Sequence, residues 1–297
     1  KLPTNPRKQH SLGKIVMLIP QLILLIIALM PLLPPGSEFP RSPEMNRFIS
    51  SKVSIETDNG NRSYPYRILM PPSKETPLPL VIFLHGAGER GADNALQLKY
   101  LPQKFLTDGH LKSKPCYLLA MQCPKGEWWA PFDARDEPVG EATPSMQAVI
   151  AAILKTVREE KIDQSRIYLT GLSMGGFGSW DLAARHPDWF AAVVPICGGG
   201  QLQTAKQLVD VPIWAFHGTN DRVVAESESR MMIEAIRAAG GHPAYSALPG
   251  VRHDSWHIAY GPRGAMDWMF AQQNPTPPSL RGFDDEQEGW MMNKEAI

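Results

Sequence analysis

The sequence predicts an α/β fold: a doubly wound, mostly parallel sheet preceded by an antiparallel N-terminal hairpin. Two observations carry this expectation. Short apolar runs recur from Leu78 to Leu84, Tyr117 to Met121, Ile167 to Thr170, Ala191 to Ile196, Val211 to Phe216 and Ala244 to Leu248. Each is apolar on both faces, as strands inside a covered sheet are. Segments with helical spacing alternate with them, from Ser145 to Glu160, Met174 to Arg185, Ser227 to Ala239 and His257 to Gln272. Right-handed crossovers then gather the strand C-termini on one edge, where open sheets of this kind bind ligands.

In chain order, Lys1, Arg7, Lys8 and Lys14 come first, followed by an uncharged run from Ile15 to Leu33 broken only by Pro20, Gln21 and Pro31. As a helix this run would reach about 28 Å, near the hydrocarbon thickness of a bilayer. It reads as a signal peptide or an uncleaved membrane anchor, with attachment to a membrane through residues 15–33 in the second case. Both readings deliver the rest of the chain outside the cytoplasm, secreted, periplasmic or anchored. Residues 1–44 are therefore expected to be this export segment plus a Pro-rich spacer. Residues 45–272 form the domain that carries the chemistry. Residues 273–297, opening on Asn274-Pro-Thr-Pro-Pro-Ser279, are expected to be a polar, loosely ordered tail.

The domain begins with strand-like runs from Phe48 to Glu56 and from Tyr64 to Met70 around the turn signal Asp58-Asn59-Gly60-Asn61, the expected hairpin. With 297 residues, 43% of them hydrophobic, there is enough apolar side chain for one sizeable core. Thirty basic residues balance thirty acidic ones, so no overall field favours nucleic acid as a partner. Three cysteines, an odd count, do not make a disulfide framework. Cys116 and Cys123 bracket a strand that separates them by roughly 23 Å, so both are expected to be free thiols.

The chemistry is concentrated at strand ends. Ile167-Tyr-Leu-Thr170 runs into Gly171-Leu172-Ser173-Met174-Gly175-Gly176 and then a helical pattern, the strand-turn-helix context of a nucleophile elbow. Glycines flank Ser173 because side chains there would collide in so tight a turn. A serine nucleophile needs a base, and His253, on a loop after a late strand, fits better than His257, which starts the last helix. Asp221, after the strand ending in His217-Gly218, suits the acid that orients the base; Asp254 is too close in sequence to His253 to point at it productively. Two backbone N–H groups, of Met174 and of Ala87 in the loop His85-Gly86-Ala87-Gly88, suit an oxyanion hole. Trp128, Trp129 and Trp256 are candidate substrate-binding aromatics. Neither HExxH nor paired CxxC spacing occurs, so no metal and no cofactor is expected.

These four motifs resemble the α/β-hydrolase superfamily, in its compact carboxylesterase, feruloyl-esterase and polyhydroxybutyrate-depolymerase-like branch, from about Phe48 to Gln272. The resemblance implies the α/β-hydrolase fold, a His-Gly-x-Gly oxyanion loop, the Gly-x-Ser-x-Gly elbow, an acid in His-Gly-x-x-Asp and a histidine before Ser-Trp. These fall on Ala87, Met174, Ser173, Asp221 and His253. Arg252 departs from the pattern, standing where relatives carry a small residue. The implied activity is acyl transfer from a small-molecule or polymeric carboxylic ester to water, with short or soluble acyl groups favoured because the motif spacing leaves no room for a large lid. A serine peptidase of the prolyl-oligopeptidase kind shares the order of the triad, and a non-catalytic, membrane-tethered binding protein is the alternative from another class.

Overall fold

The computed structural model describes residues 46–57, 60–131 and 140–282. The chain begins with β1 (Phe48–Thr57) and β2 (Gly60–Leu69), paired antiparallel from Phe48↔Leu69 to Thr57↔Gly60. Gly60 closes this hairpin at φ +92°, a backbone that side chains resist. Then follow β3 (Leu78–Leu84), the short helices α1 (Leu101–Thr107) and α2 (Gly109–Lys112), and β4 (Tyr117–Met121). The second half alternates α3 (Pro144–Glu159), β5 (Ile162–Leu172), α4 (Met174–Arg185), β6 (Ala192–Ile196), β7 (Trp214–Gly218), α5 (Ser227–Ala238) and β8 (Ala244–Leu248). It closes with α6 (Trp256–Ala259) and α7 (Met266–Ala271).

One eight-stranded sheet has the order β1-β2-β4-β3-β5-β6-β7-β8. From β4 to β8 neighbouring strands run parallel, and the hairpin adds the antiparallel edge. The expected architecture is therefore the observed one. The chain leaves β3 toward β4 on one side and returns to β5 on the other, so the order reverses between β3 and β5. Register pairs Leu84 with Gly171 there, and the loops after β3 and β5 leave the sheet side by side. This is the switch point at which such sheets open a crevice.

The apolar alternation of β3 explains the two-sided core. Leu80, Ile82 and Leu84 pack on one face with Met146, Val149, Ile153 and Trp180, while Val81 and Phe83 pack on the other with Leu101, Phe105, Tyr260 and Met266. Burying roughly 0.8 kcal/mol per methylene on both faces makes this strand a central one.

Two expectations are corrected. The helix expected from His257 to Gln272 is two short helices, because Gly261-Pro262-Arg263-Gly264 interrupts it. Pro262 has no N–H to donate, and a Cβ at Gly264 would stand 2.1 Å from the Ala259 carbonyl oxygen. Residues 274–282, expected to belong to a loose tail, are packed instead: Asn274 Nδ2 donates to the Asp188 carbonyl at 2.6 Å, Leu280 N–H to Gln164 Oε1 at 2.7 Å, and Leu280 is fully buried. The remainder of that tail lies outside the described residues, as does the run 15–33. Among the described residues no helix is long and apolar enough to cross a membrane. Cys116, Cys123 and Cys197 are buried and free, with β4 between the first two.

Candidate active site

Ser173 stands between β5 and α4 at φ +54°, ψ −117°, a conformation that costs a residue with a Cβ about 1–3 kcal/mol. Surrounding hydrogen bonds hold it there. Ser173 N–H donates to the Ile196 carbonyl at 2.9 Å, and the Ser173 carbonyl accepts from Gly176 and Phe177 N–H at 2.8 and 3.1 Å. A Cβ on Gly171 would lie 2.2 Å from the Gly175 carbonyl oxygen, and one on Gly175 only 1.9 Å from that of Leu84. Both positions flanking the serine therefore admit glycine alone. The twelve-residue α4 begins at the next residue, so its positive end faces the hydroxyl.

Above the serine, His253 comes from the loop between β8 and α6. Its Nε2 lies 2.9 Å from Ser173 Oγ, and its Nδ1 lies 2.7 Å from Asp221 Oδ2. The carboxylate can only accept, so Nδ1 carries the proton and Nε2 is free to accept from Ser173. Asp221 Oδ1 in turn accepts Val223 and Val224 N–H at 2.8 and 3.0 Å. Burial would raise the Asp221 carboxyl, but hydrogen bonds from His217 and His253 and the Val223 N–H outweigh it and hold it well below the usual carboxylate range. Burial would lower the His253 imidazole; the Cys197 sulfur, when ionised, and the Asp221 carboxylate beside it raise it instead. The sequence-predicted trio Ser173, Asp221 and His253 is thus one hydrogen-bonded chain, while Asp254 and His257 are exposed outside it.

The candidate oxyanion loop is set by His85, which the sequence placed in this loop without a role of its own. His85 is fully buried, and its Nε2 accepts the Cys123 N–H at 3.0 Å. Nδ1 must then hold the proton, and it lies 2.6 Å from the Gly86 carbonyl oxygen. Burial pushes this imidazole down to about 4, so it stays neutral. The Gly86 carbonyl and the Ala87 N–H share one planar peptide unit and point in opposite directions, so anchoring the first aims the second. A Cβ on Gly86 would come within 3.6 Å of Ser173 Cβ, so this loop runs beside the serine. Met174 and Ala87 each open a helical turn, where the N–H has no partner in its own helix.

The aromatic candidates divide. Trp129 is fully buried in the core, where its Nε1–H donates to the His85 carbonyl at 3.0 Å. That corrects its assignment as a substrate-binding residue: it offers a ligand no surface and braces the oxyanion loop from below. Trp128 is half-buried under the Arg90 guanidinium, 4.5 Å from its ring centre, and Arg90 Nε–H also donates to the Ala87 carbonyl at 3.0 Å. Trp256, half-buried, meets the His253 ring edge-on at 5.5 Å with Tyr100 against it at 5.2 Å.

Three further neighbours were missed. His217, whose Nε2 lies 3.2 Å from Asp221 Oδ2, is a second buried partner of the acid. Glu89 is a buried carboxyl in the same loop, its Oε2 3.2 Å from where a Cβ on Gly86 would stand. Cys197 has its donor atom near those of Asp221 and His253. Only His217 had a local signal, four positions before Asp221 in the same turn.

A family model for phospholipases and carboxylesterases matches residues 67–259. Lysophospholipase-like protein 1 of Mus musculus is 27% identical over 192 residues, 59% of this chain and 79% of that protein. The bifunctional acetylxylan esterase/xylanase XynS20E of Neocallimastix patriciarum is 34% identical over 84 residues, 28% of this chain and 12% of its own length. A solved structure of a thermostable esterase superposes with a TM-score of 0.68 at 34% identity, covering 77% of this chain and 64% of that one. The chain thus spans less than two thirds of that esterase and a small part of the xylanase. With the matched segment running from β2 through the elbow to α6, the chain belongs to the phospholipase/carboxylesterase family and has the α/β-hydrolase fold.

Proposed function

We propose that this protein is an exported serine hydrolase that cleaves carboxylic esters through an acyl-enzyme. The observation that carries this reading is the relay Ser173–His253–Asp221, hydrogen-bonded at 2.9 and 2.7 Å on a strained turn. Ser173 Oγ attacks the ester carbonyl carbon while His253 Nε2 takes its proton. Asp221 accepts the Nδ1–H throughout, which keeps the tautomer and balances the imidazolium. The oxyanion of the tetrahedral intermediate is held by the N–H groups of Met174 and Ala87, already aimed before substrate arrives. Collapse expels the alcohol, which His253 protonates. Water then repeats the sequence on the acyl-enzyme and releases the acid.

Ester rather than amide cleavage is favoured by family membership. A short or soluble acyl group suits the spacing of the motifs, which leaves no room for a large lid. Trp256 and Trp128 flank the relay and the oxyanion loop as candidate walls for the rest of the substrate. Export rests on the charged start and the apolar run 15–33.

The test pairs a fluorophosphonate with p-nitrophenyl acetate through octanoate, using the wild type and Ser173→Ala. Labelling and turnover should both vanish in the variant, with turnover falling by up to about a millionfold. Turnover should also peak at a short chain. A variant that still labels at the wild-type rate would remove Ser173 as the nucleophile.

A further inference from the structure

Cys197 follows β6 directly, at φ +41° and with no exposed surface. Its Sγ, one imidazole nitrogen of His253 and one carboxylate oxygen of Asp221 all lie within 4.8 Å of one another. We propose that Cys197, Asp221 and His253 form an inhibitory binding site for a thiophilic divalent cation, with Zn²⁺ the fitting ion. This site does not depend on what the enzyme hydrolyses.

Thiolate, imidazole and carboxylate are the donor set that zinc takes, and its bonds of about 2.0–2.3 Å place tetrahedral neighbours roughly 3.3–3.8 Å apart. Side-chain rotations of about 1 Å would bring the three donors to that spacing. The outer supports of a metal site are already built. Asp221 Oδ1 is fixed by Val223 and Val224 N–H, and His217 Nε2 stands 3.2 Å from Oδ2. Such partners orient ligating carboxylates. Ca²⁺ and Mg²⁺ prefer oxygen shells and do not fit this set.

The ring nitrogen facing Asp221 is Nδ1, at 2.7 Å from Oδ2, and a single proton now fills that gap. Zn²⁺ entering there displaces the Nδ1 proton, which moves to Nε2, and the Cys197 thiol proton, which goes to solvent. Bonds to N, S and O form, water completes the shell, and no electrons are transferred. With Nδ1 on the metal, Nε2 carries the one proton of the ring and can only donate. Ser173 then loses its base while the elbow and the oxyanion loop stay in place. Local spacing rules miss this set because its ligands come from the ends of three different strands.

The test uses the full chain and needs no substrate. Cd²⁺ titration should give one thiolate-to-metal charge-transfer band per protein in the ultraviolet, absent from Cys197→Ser. Zn²⁺ affinity, measured against a chromogenic indicator, should fall at least about tenfold in Cys197→Ser and in Asp221→Asn, and stay unchanged in His257→Ala. Fluorophosphonate labelling of the wild type should slow with Zn²⁺, recover with chelator and ignore Mg²⁺, each variant being scored against its own zinc-free rate. No band in the wild type, or a band that survives in Cys197→Ser, would overturn the proposal. A chain that binds Cd²⁺ as described but labels with nothing would keep the cation site and reject the hydrolase reading.

Discussion

Replacing Ser173 once by alanine and once by glycine separates the strain of the elbow from its chemistry. Both variants lose the hydroxyl and its 2.9 Å bond to His253, so that loss cancels between them. What differs is the Cβ. At φ +54°, ψ −117° the alanine methyl keeps a conformational cost of about 1–3 kcal/mol, which glycine does not bear. Against this, glycine gives the unfolded chain about 0.5–1 kcal/mol of extra freedom. The turn cannot relax to spare the alanine, because Ser173 N–H is tied to Ile196 and a shifted Gly175 would strike Leu84. The glycine variant should therefore be the more stable by about 1 kcal/mol, the reverse of the usual order. For a domain of this size that is roughly 2–4 °C in Tm. Urea and thermal unfolding of the two inactive variants, side by side, measure it. An alanine variant equal to or more stable than the glycine variant would show that the elbow stores no strain.

The remaining predictions concern charge and packing. Burial pushes the Glu89 carboxyl up to about 7 from its ordinary 4.5, against the pull of Lys99 and the Gly86 and Glu89 N–H groups. Because the folded value is the higher, stability falls as pH rises from about 4.5 to 7, and the full penalty, on the order of 3 kcal/mol, remains above that. Glu89→Gln should then stabilise the protein at pH 8 and match the wild type near pH 4; a gain that does not vary with pH would refute the burial account. His253 must be neutral to act as a base, so kcat/KM should rise with pH through its raised ionisation. Asp221→Asn should move that midpoint downward and cut kcat on the order of 10³–10⁴-fold; an unmoved midpoint would remove Asp221 as its cause. Trp129→Ala should cost about 3–5 kcal/mol of stability, whereas Trp256→Ala should raise KM with little change in Tm. Chemical denaturation beside steady-state kinetics distinguishes the two.

How far each residue could be read in advance follows from where its constraint lies. Ser173 was legible because its turn forbids any neighbour but glycine at Gly171 and Gly175, a rule written within five consecutive residues. Asp221 and His253 were legible because each follows a strand-like apolar run ending at the same sheet edge, a run that is buried in β7 and only half-buried in the edge strand β8. His85 was not: its role depends on Cys123 N–H, 38 residues away, which only the pairing of β3 with β4 brings beneath the loop. Trp128 and Trp129 looked alike as candidate substrate-binding aromatics, yet Gly178 on α4 is open enough to let Trp129 into the core, where a Cβ on that glycine would stand 2.6 Å from the Trp129 Cβ. The break between α6 and α7 was written in Gly261-Pro262-Arg263-Gly264 and was outweighed by an apolar spacing that continued across it.

Local preference and tertiary demand disagree most where the chemistry is concentrated. Among the described residues the non-glycine positions with positive φ are Asn94, Tyr100, Ser173 and Cys197. Ser173 is the candidate nucleophile, Cys197 puts its sulfur beside His253 and Asp221, and Tyr100 sets its ring at a tilt against the Trp256 that meets His253 edge-on. Three such residues around one imidazole are hard to ascribe to loose packing, since the core beneath them is fully buried. Each costs about 1–3 kcal/mol and persists only because neighbouring hydrogen bonds and packing over-determine it. Sequence rules built on favoured conformations therefore fail at Tyr100 and Cys197 for the same physical reason that they succeed in β3: the core chooses what is locally comfortable, and the site accepts what holds its atoms in place.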